Sequence, residues 1–354
     1  MTPSNTRPNL PALAKYRGRH YLDDQDYSAE ELLELIDLAV RLKALWRTRP
    51  FTPFLLGKSL AMIFDQGSTR TRVSFETGMY ELGGHALYLR PGEIHLPGKE
   101  SVGDTARALS VFNNAIEMRY CDPRVLTEFA AGAEVPVING MVLTVRDPQT
   151  GKILVHGSHP AQSMTDAMTV MEKRGRIEGL TIAWVGVAED VGWSDVLTFS
   201  RLGANVRVAA PKHSPLTDDV CRKVRANCDK WGTSLHVTDD PVDAVTTADV
   251  VFTQMWWWDE DDAEKERYMT LSQPFQVNED LMRHAAPDAM FMHCLPAQRG
   301  QEVTDAVIDS PASVVWDEAE NRKHFQKGLL LALIGIDDLP ADPDLHEIGR
   351  ALLS

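Results

Sequence analysis

Cysteine is scarce in this sequence, and long apolar runs and an excess of positive charge are absent. The four cysteines, Cys121, Cys221, Cys228 and Cys294, show no CxxC spacing, so they predict neither a zinc site nor a thioredoxin-type motif. No apolar run approaches the roughly 18 residues of a membrane span. A net charge of −15 disfavours nucleic acid as a partner, because such binding depends on Lys and Arg that neutralise phosphates. We therefore expect no metal, no membrane contact and no nucleic acid.

The first twenty residues also lack the features of a secretory signal. They read MTPSNTRPNLPALAKYRGRH, with prolines and basic residues but no continuous apolar segment. Together with the cysteine pattern this favours a reducing compartment, so we expect a soluble cytoplasmic protein.

What the sequence does contain is an alternation of strand-like and helical segments. At 354 residues the chain is long enough for two domains of roughly 150 residues each. A capping box at Ser28–Glu31 predicts a first helix over about 28–46. The alternation predicts two doubly wound parallel sheets with helices on both faces. The predicted strands are 59–64, 85–89, 115–118, 180–185, 205–209, 235–237, 250–252, 289–292 and 313–315.

Four further segments complete the predicted organisation. We expect a connecting helix over 159–173, a long last helix over 318–336 that packs back on the first domain, an inserted hairpin over 141–156 and a loop over 256–267. The predicted domains are 1–158 completed by helix 318–336, 159–317, and a C-terminal tail over 337–354.

The sharpest local motif is Gly67-Ser68-Thr69-Arg70-Thr71-Arg72, which follows a predicted strand and opens a helix. Backbone N–H groups, hydroxyls and guanidinium groups converge there, and a phosphate needs these donors. The motif alone is equally compatible with a capped helix that carries solvated arginines.

Two other motifs are weaker by themselves. Ser158-His159-Pro160-Ala161-Gln162 opens the connecting helix, and His159 and Gln162 would share one helical face. A lone His beside Pro is more often a packed residue. His293-Cys294-Leu295-Pro296 ends an apolar strand, where an inert buried thiol is the ordinary alternative.

The order of the motifs resembles the aspartate and ornithine carbamoyltransferase family. The relevant strings are FDQGSTRTRVSFETGMYELGGH, AIEMR, HPAQ, MHCLPAQRG and DEAENR, spread over roughly 55–335. The resemblance implies that carbamoyl phosphate is one substrate and a small amine the other, and that the protein is a homotrimer.

The resemblance also implies residue roles. The turn formed by Ser68, Thr69, Arg70 and Thr71 is expected to bind phosphate. The residues expected to hold the carbamoyl group are Arg119, His159, Gln162, Cys294, Leu295 and Arg322.

These roles agree with the chemistry of carbamoyl transfer. Attack of an amine on the carbamoyl carbon produces a developing oxyanion and a phosphate leaving group, so cations and aligned donors should concentrate around both. The attacking amine must first lose its proton, since its reference pKa is near 10. The reaction requires neither a metal nor an organic cofactor.

The acceptor site departs from the ornithine pattern that the family resemblance implies. Ornithine enzymes usually carry an acidic DxxxSMG signature where this chain has Thr253 to Asp259, so that Gln254 replaces the acid. They carry an Asn pair where this chain has Glu189 and Asp190, which would attract a cation and repel an α-carboxylate. Trp256 is a further candidate for holding an ammonium group.

The sequence therefore leaves the identity of the acceptor amine open. Strings such as LRPGEIHL, EVPVING and PFQVN resemble putrescine carbamoyltransferases, so putrescine or a related cationic amine is our first expectation. The alternatives are an enzyme for ornithine or a modified amino acid, and a non-catalytic homologue that binds a phosphorylated metabolite.

Overall fold

Two parallel β-sheets organise the computed structural model, which describes residues 13–90, 92–96, 98–257, 262–336, 340 and 342–353. The chain divides into two units. The first unit holds the described residues up to Asp26, then Glu30–Val155, and those from Arg322 onward; the second holds Tyr27–Ala29 and His156–Asn321.

The sheet of the first unit has four parallel strands in the order β2-β1-β3-β4. The chain leaves β1 for one edge and then returns to the other side, so the strand order reverses between β1 and β3. Ligands of open α/β sheets bind at the carboxyl ends of strands beside such a reversal. The strands are β1 (Ser59–Phe64), β2 (His85–Leu89), β3 (Ala115–Cys121) and β4 (Val137–Val142).

The sheet of the second unit has five parallel strands in the order β11-β10-β7-β8-β9. Its reversal lies between β7 and β10. The strands are β7 (Thr181–Val185), β8 (Asn205–Ala209), β9 (Leu235–Thr238), β10 (Val250–Thr253) and β11 (Met290–His293). The predicted fold class, two parallel-sheet α/β units, is confirmed.

Helices alternate with the strands, and each sheet has an apolar core of its own. None of the helices within the described ranges is long and apolar enough to cross a bilayer. Two short 3₁₀ helices occupy Asp24–Asp26 and Gln273–Phe275. The α-helices are α1 (Ala29–Trp46), α2 (Thr69–Glu81), α3 (Val102–Phe112), α4 (Pro123–Gly132), α5 (Pro160–Arg174), α6 (Val191–Arg201), α7 (Asp218–Trp231), α8 (Pro241–Val245), α9 (Asp262–Ser272), α10 (Glu279–Met282), α11 (Asp305–Ile308), α12 (Val315–Ile334) and α13 (Pro343–Leu353).

The insert before α5 is an antiparallel hairpin, as predicted, but it is shorter than 141–156. Its strands are β5 (Val145–Arg146) and β6 (Ile153–Val155). Strand β4, which precedes the hairpin, was not predicted, because Asn139 and Gly140 are poor strand formers. The N-terminal segment covers this edge strand, with Tyr21 exchanging backbone hydrogen bonds with Val137 and Asn139.

Two sequence predictions are wrong in detail. The segment 313–315 is not a strand: Ser313 makes one isolated bridge to Phe291, and α12 begins at Val315. Acidic residues in the first turn of α12 favour that early start. The segment 256–267 is not loop throughout, because α9 begins at Asp262, where good helix formers accumulate. Residues 258–261 lie outside the described ranges.

The last long helix packs back on the first unit, as predicted, through buried charges. The carboxylate of Glu81, at the end of α2, accepts hydrogen bonds from Lys323 (2.7 Å) and Lys327 (2.8 Å) of α12. Trp46 of α1 donates its indole N–H to the same carboxylate at 3.0 Å. The Lys327 side chain is only 1% exposed, so its charge depends on Glu81.

We expect Glu81→Gln to lower the free energy of unfolding by about 3 kcal/mol, because it leaves a buried ammonium group without its counter-charge. Chemical denaturation measures the change. The matched control is Glu76→Gln on the same helix, where an exposed pair with Arg72 contributes about 0.5 kcal/mol or less. Equal effects of the two substitutions would contradict the structural role of Glu81.

Candidate active site

In the first unit, the predicted phosphate-binding residues lie at the reversal between β1 and β3. Ser68 is the residue before α2, and Thr69, Arg70 and Thr71 form its first turn. Arg119 lies in the carboxyl-terminal half of the adjacent strand β3. The fold therefore brings the turn and Arg119 to the same edge of one sheet.

The helices that begin at predicted site residues differ from the others in how they are capped. In six other α-helices a side chain at the N-terminus accepts a backbone N–H: Ser101, Asp122, Thr217, Asp240, Asn278 and Thr304. The side chains of Ser68, His159 and Asp190, which precede α2, α5 and α6, make no such bond. The start of α2 thus has no side-chain cap, whereas in α5 and α6 the backbone N–H groups of Gln162 and Gly192 donate to the carbonyl oxygens of His159 and Glu189.

Two buried arginines are anchored in the first unit. Arg119 is 6% exposed and donates from Nη1 to the carbonyl oxygen of Gly140 at 2.6 Å. Arg322 of α12 is 3% exposed and donates from Nη2 to Oγ1 of Thr71 at 2.8 Å. Arg322 is therefore fixed directly to the predicted phosphate-binding turn.

Glu117 is a charged neighbour of these arginines that the motif analysis did not single out. It is fully buried in β3, two residues before Arg119, so both side chains project from the same face of the sheet. Burial raises the pKa of Glu117 to about 8, against the opposing effect of Arg119 and Arg322. The spacing Glu-x-Arg within an apolar strand was the available sequence signal.

Cys121, at the end of β3, packs in the apolar core with Ile116 and Met118 and is a buried free thiol. Burial, more than the nearby carboxylate of Asp65, raises its pKa to about 12. The thiol is therefore protonated at neutral pH and does not act as a nucleophile.

In the second unit, His159 and Asp190 are joined by Ser194. The backbone N–H of His159 donates to Ser194 Oγ at 2.8 Å, and Ser194 Oγ donates to the carbonyl oxygen of Asp190 at 3.0 Å. His159 is 3% exposed and Asp190 8% exposed. A single hydroxyl thus holds the starts of α5 and α6 together.

Gln162 is connected to the end of β11 through Glu318, another residue that the motif analysis did not assign. The Gln162 amide donates from Nε2 to Asp166 Oδ1 at 2.8 Å and to Glu318 Oε1 at 3.1 Å. The other oxygen of Glu318 accepts the backbone N–H of His293 at 3.0 Å. This buried carboxylate sets the spacing between Gln162 and the His293–Leu295 segment.

The ring of His293 has a defined tautomer. Its Nδ1 accepts the backbone N–H of Leu295 at 2.8 Å, so the ring proton of a neutral imidazole lies on Nε2. Nε2 lies 3.2 Å from Glu302 Oε1, with both side chains fully buried. The ring therefore shapes the loop that carries Cys294, and it is a structural group.

Backbone strain coincides with these segments. Among the described non-glycine residues, Met141, Asp190, Thr247 and Leu295 have positive φ angles. Leu295 (φ 54°) and Asp190 (φ 48°) are predicted site residues, and Met141 follows the Gly140 carbonyl that anchors Arg119. Strain of this kind persists where the surroundings hold the backbone, and it clusters at functional sites.

The predicted acceptor residues lie at the reversal between β7 and β10. Glu189 and Asp190 follow β7, and Gln254 follows β10. Gln254 is 1% exposed and donates from Nε2 to the carbonyl oxygen of Glu189 at 3.0 Å. The amide of Gln254 thus fixes the loop that carries both acids, and its buried Oε1 has no hydrogen-bond partner among the described residues.

Trp256 is buried too deeply for its predicted role of holding an ammonium group. Its ring is 2% exposed, and its Nε1 lies 3.1 Å from where a Cβ on Gly186 would stand. The burial argues against an ammonium ion on its face. The neighbouring Trp257 instead lies under the ammonium group of Lys265, 3.7 Å from the ring centroid.

Within the described ranges, no group of three or more His, Cys, Asp and Glu side chains has a geometry that could hold a metal ion. What the two units offer are cations, N–H donors and buried amides. Such groups bind a phosphate and stabilise negative charge that develops on a carbonyl oxygen.

Two family models match nearly the whole chain. Residues 19–172 match the carbamoyl-P binding domain of aspartate/ornithine carbamoyltransferase, and residues 178–333 match its Asp/Orn binding domain. The chain belongs to the aspartate/ornithine carbamoyltransferase family. It is a carbamoyltransferase, and the resemblance predicted from the motifs is confirmed.

Individual members of the family agree with this assignment. The chain is 45% identical to an ornithine carbamoyltransferase of Pyrococcus abyssi over 90% of its own length and 96% of the relative's. The structure of ornithine carbamoyltransferase from Pyrococcus furiosus superposes with a TM-score of 0.83 at 44% identity, covering 90% of this chain and 98% of the other. A structure of N-acetyl-L-ornithine transcarbamylase gives a TM-score of 0.77 at 30% identity, covering 89% and 99%.

We expect Glu117→Gln to stabilise this carbamoyltransferase increasingly as pH rises from about 5 to about 8. The folded wild-type protein keeps a proton on Glu117 up to a pKa of about 8, whereas the unfolded chain releases it near the ordinary value of 4.5. The folded state therefore binds more protons in this window, and its stability falls as pH rises. Glutamine removes that dependence.

Thermal melting at several pH values measures the effect, with Glu76→Gln as an exposed control. The melting temperature of Glu117→Gln, relative to that of the wild type, should rise by several degrees between about pH 5 and about pH 8. The conversion is roughly 2–4 °C per kcal/mol of stability. Melting curves that shift in parallel for wild type and variant would show that Glu117 is ionised throughout.

Proposed function

We propose that this carbamoyltransferase transfers the carbamoyl group of carbamoyl phosphate to the side-chain amine of L-ornithine. Binding of carbamoyl phosphate is supported by one observation: Arg119, Arg322 and the start of α2, which has no side-chain cap, lie at one sheet reversal. The acceptor is supported by the ornithine carbamoyltransferases of two Pyrococcus species, at 45% and 44% identity.

The proposed residue roles follow the charges that the reaction creates. The turn from Ser68 to Thr71 holds the phosphate, and residues 1–158 with helix 318–336 form the domain for this substrate. The acceptor domain is 159–317. The groups that hold the carbamoyl moiety and its developing oxyanion are Arg119, His159, Gln162, Arg322 and the backbone of Cys294 and Leu295.

In the proposed reaction the lone pair of the neutral amine attacks the carbamoyl carbon and forms the new C–N bond. The carbonyl electrons move onto oxygen, where arginine and histidine donors stabilise them. The C–O bond to phosphate then breaks and the carbonyl re-forms. The surplus proton on the nitrogen leaves to the departing phosphate or to water, so the products are a ureido compound and inorganic phosphate.

Putrescine is the second candidate acceptor, and the acids after β7 favour it. Asp190 is 8% exposed at the uncapped start of α6, and Glu189 precedes it. Two carboxylates attract a diamine and repel the α-carboxylate of an amino acid. Gln254, where ornithine enzymes of the family carry an acid, suits an acceptor with a neutral hydrogen-bonding group.

We also propose that the protein is a cytoplasmic homotrimer. Family resemblance supports the trimer, including a loop around Lys99 that reaches toward a neighbouring subunit. The cysteine pattern supports the compartment.

We expect Arg70→Ala to lower kcat/KM by about a hundredfold or more, since it removes a guanidinium from the proposed phosphate turn. Steady-state assays with carbamoyl phosphate measure the loss, and thermal melting should be unchanged. Arg72→Ala is the matched control, because Arg72 lies 3.7 Å over the Tyr88 ring and pairs with Glu76. Wild-type turnover by folded Arg70→Ala would contradict the phosphate assignment.

We expect L-ornithine to exceed putrescine and N-acetyl-L-ornithine in kcat/KM by at least about tenfold, a difference of roughly 1.4 kcal/mol. A ureido-product assay over the three amines measures it. A preference for putrescine that narrows in Glu189→Gln/Asp190→Asn would replace ornithine with the second candidate. A preference for N-acetyl-L-ornithine would instead point to Gln254.

A further inference from the structure

Glu117 is buried without any hydrogen bond to either carboxyl oxygen among the described residues. Its exposed fraction is 0%, and both Oε1 and Oε2 lack a partner. Burying a carboxylate in this state is unfavourable unless a proton or a cation compensates it. The group is therefore an unused titratable side chain in the interior of the first unit.

The carboxyl lies directly against the group that anchors Arg119. A Cβ on Gly140 would stand 1.5 Å from Glu117 Oε1, so this oxygen occupies the space over the Gly140 α-carbon. The carbonyl oxygen of Gly140 accepts the 2.6 Å hydrogen bond from Arg119 Nη1. Arg322 acts on Glu117 electrostatically from α12, and it donates to Thr71 at the phosphate turn.

The other neighbours of Glu117 are a thiol, a second carboxylate and apolar side chains on the adjacent strands. On the same strand lies Cys121. Besides burial, the carboxylates of Asp65, which follows β1, and of Glu117 raise the pKa of its thiol. The residues paired with Glu117 on the two adjacent strands are apolar, namely Met62 on β1 and Ile138 on β4. Among the described residues, Arg119 and Arg322 are the cations whose charges act on Glu117.

The charge of Glu117 sets how much positive charge remains for a ligand. Burial keeps the carboxyl protonated to a pKa of about 8. In that state both arginines retain their full charge for an anion from solution. Once ionised, the carboxylate competes with that anion for the same two guanidinium groups.

We propose that Glu117 is a positioning residue that acts through Arg119 and Arg322, and that phosphate binding is coupled to protonation of its carboxyl. Carbamoyl phosphate, as an anion, binds best when Glu117 is neutral. Binding to the ionised form takes up one proton from solution onto the carboxylate. The proposal deepens the proposed function and rests on it, because it needs the two arginines to bind the carbamoyl phosphate anion.

The probe for the test is phosphonoacetamide, a stable analogue in which a methylene replaces the bridging oxygen of carbamoyl phosphate. Calorimetry measures its affinity between about pH 7 and about pH 9, in buffers of different ionisation enthalpy that report the protons taken up. With a pKa of about 8 for Glu117, the wild type should lose about tenfold in affinity over this range beyond the ligand's own titration.

The variants are Glu117→Gln, which fixes a neutral group of the same shape, and Glu76→Gln as an exposed control. Glu117→Gln should bind at pH 9 as tightly as at pH 7, within about twofold, and should lack the extra proton uptake. Glu76→Gln should follow the wild type. Even without the variant, wild-type proton uptake that does not exceed the analogue's own titration would overturn the proposal.

Two outcomes overturn the proposal in different ways. Equal pH dependence and equal proton uptake in wild type and Glu117→Gln would show that Glu117 has no part in binding, while the phosphate site stands. Failure of the wild type to bind the analogue at any pH would remove the phosphate site itself, and with it the coupling.

Discussion

Burial of charge along helix α12 is the constraint on which the rest of the structure depends. Glu318, Arg322 and Lys327 of this helix are each no more than 3% exposed. Each interacts with a group from elsewhere in the chain: Glu318 accepts from the Gln162 amide, Arg322 donates to the Thr71 hydroxyl, and Lys327 pairs with Glu81. Because an uncompensated buried charge costs several kcal/mol, these partners restrict where the site side chains can lie.

Buried polar side chains near the site fall into two kinds: those whose hydrogen bonds hold the structure, and those that can still interact with a ligand. His293 is fully committed to Glu302 and to the Leu295 backbone, so it shapes a loop. Within the described part of the chain the Glu117 carboxyl has no hydrogen-bond partner, so its protonation is what can change near the two arginines. The start of α2 at Ser68 has no side-chain cap, and this is the terminus that the proposal assigns to the phosphate.

The fold class and the order of elements were predictable because they depend on local periodicity, and the two sheet reversals follow from that order. What could not be predicted depends on contacts between distant segments. Strand β4 pairs with β3 on one side and with the Tyr21 segment on the other, and neither contact is encoded in its own sequence. The bond between Gln162 and Glu318 joins residues 156 positions apart, and no local pattern encodes it. The acceptor stays a proposal because Glu189 and Gln254 depart from the family pattern at the positions that choose the amine.

The most direct test of the account is a crystal structure of the protein with phosphonoacetamide bound. We expect the phosphonate on the turn from Ser68 to Thr71, within hydrogen-bond distance of Arg119, and the carboxamide in contact with His159 and Gln162. A phosphonate bound away from this turn, or a carboxamide that contacts neither His159 nor Gln162, would contradict it.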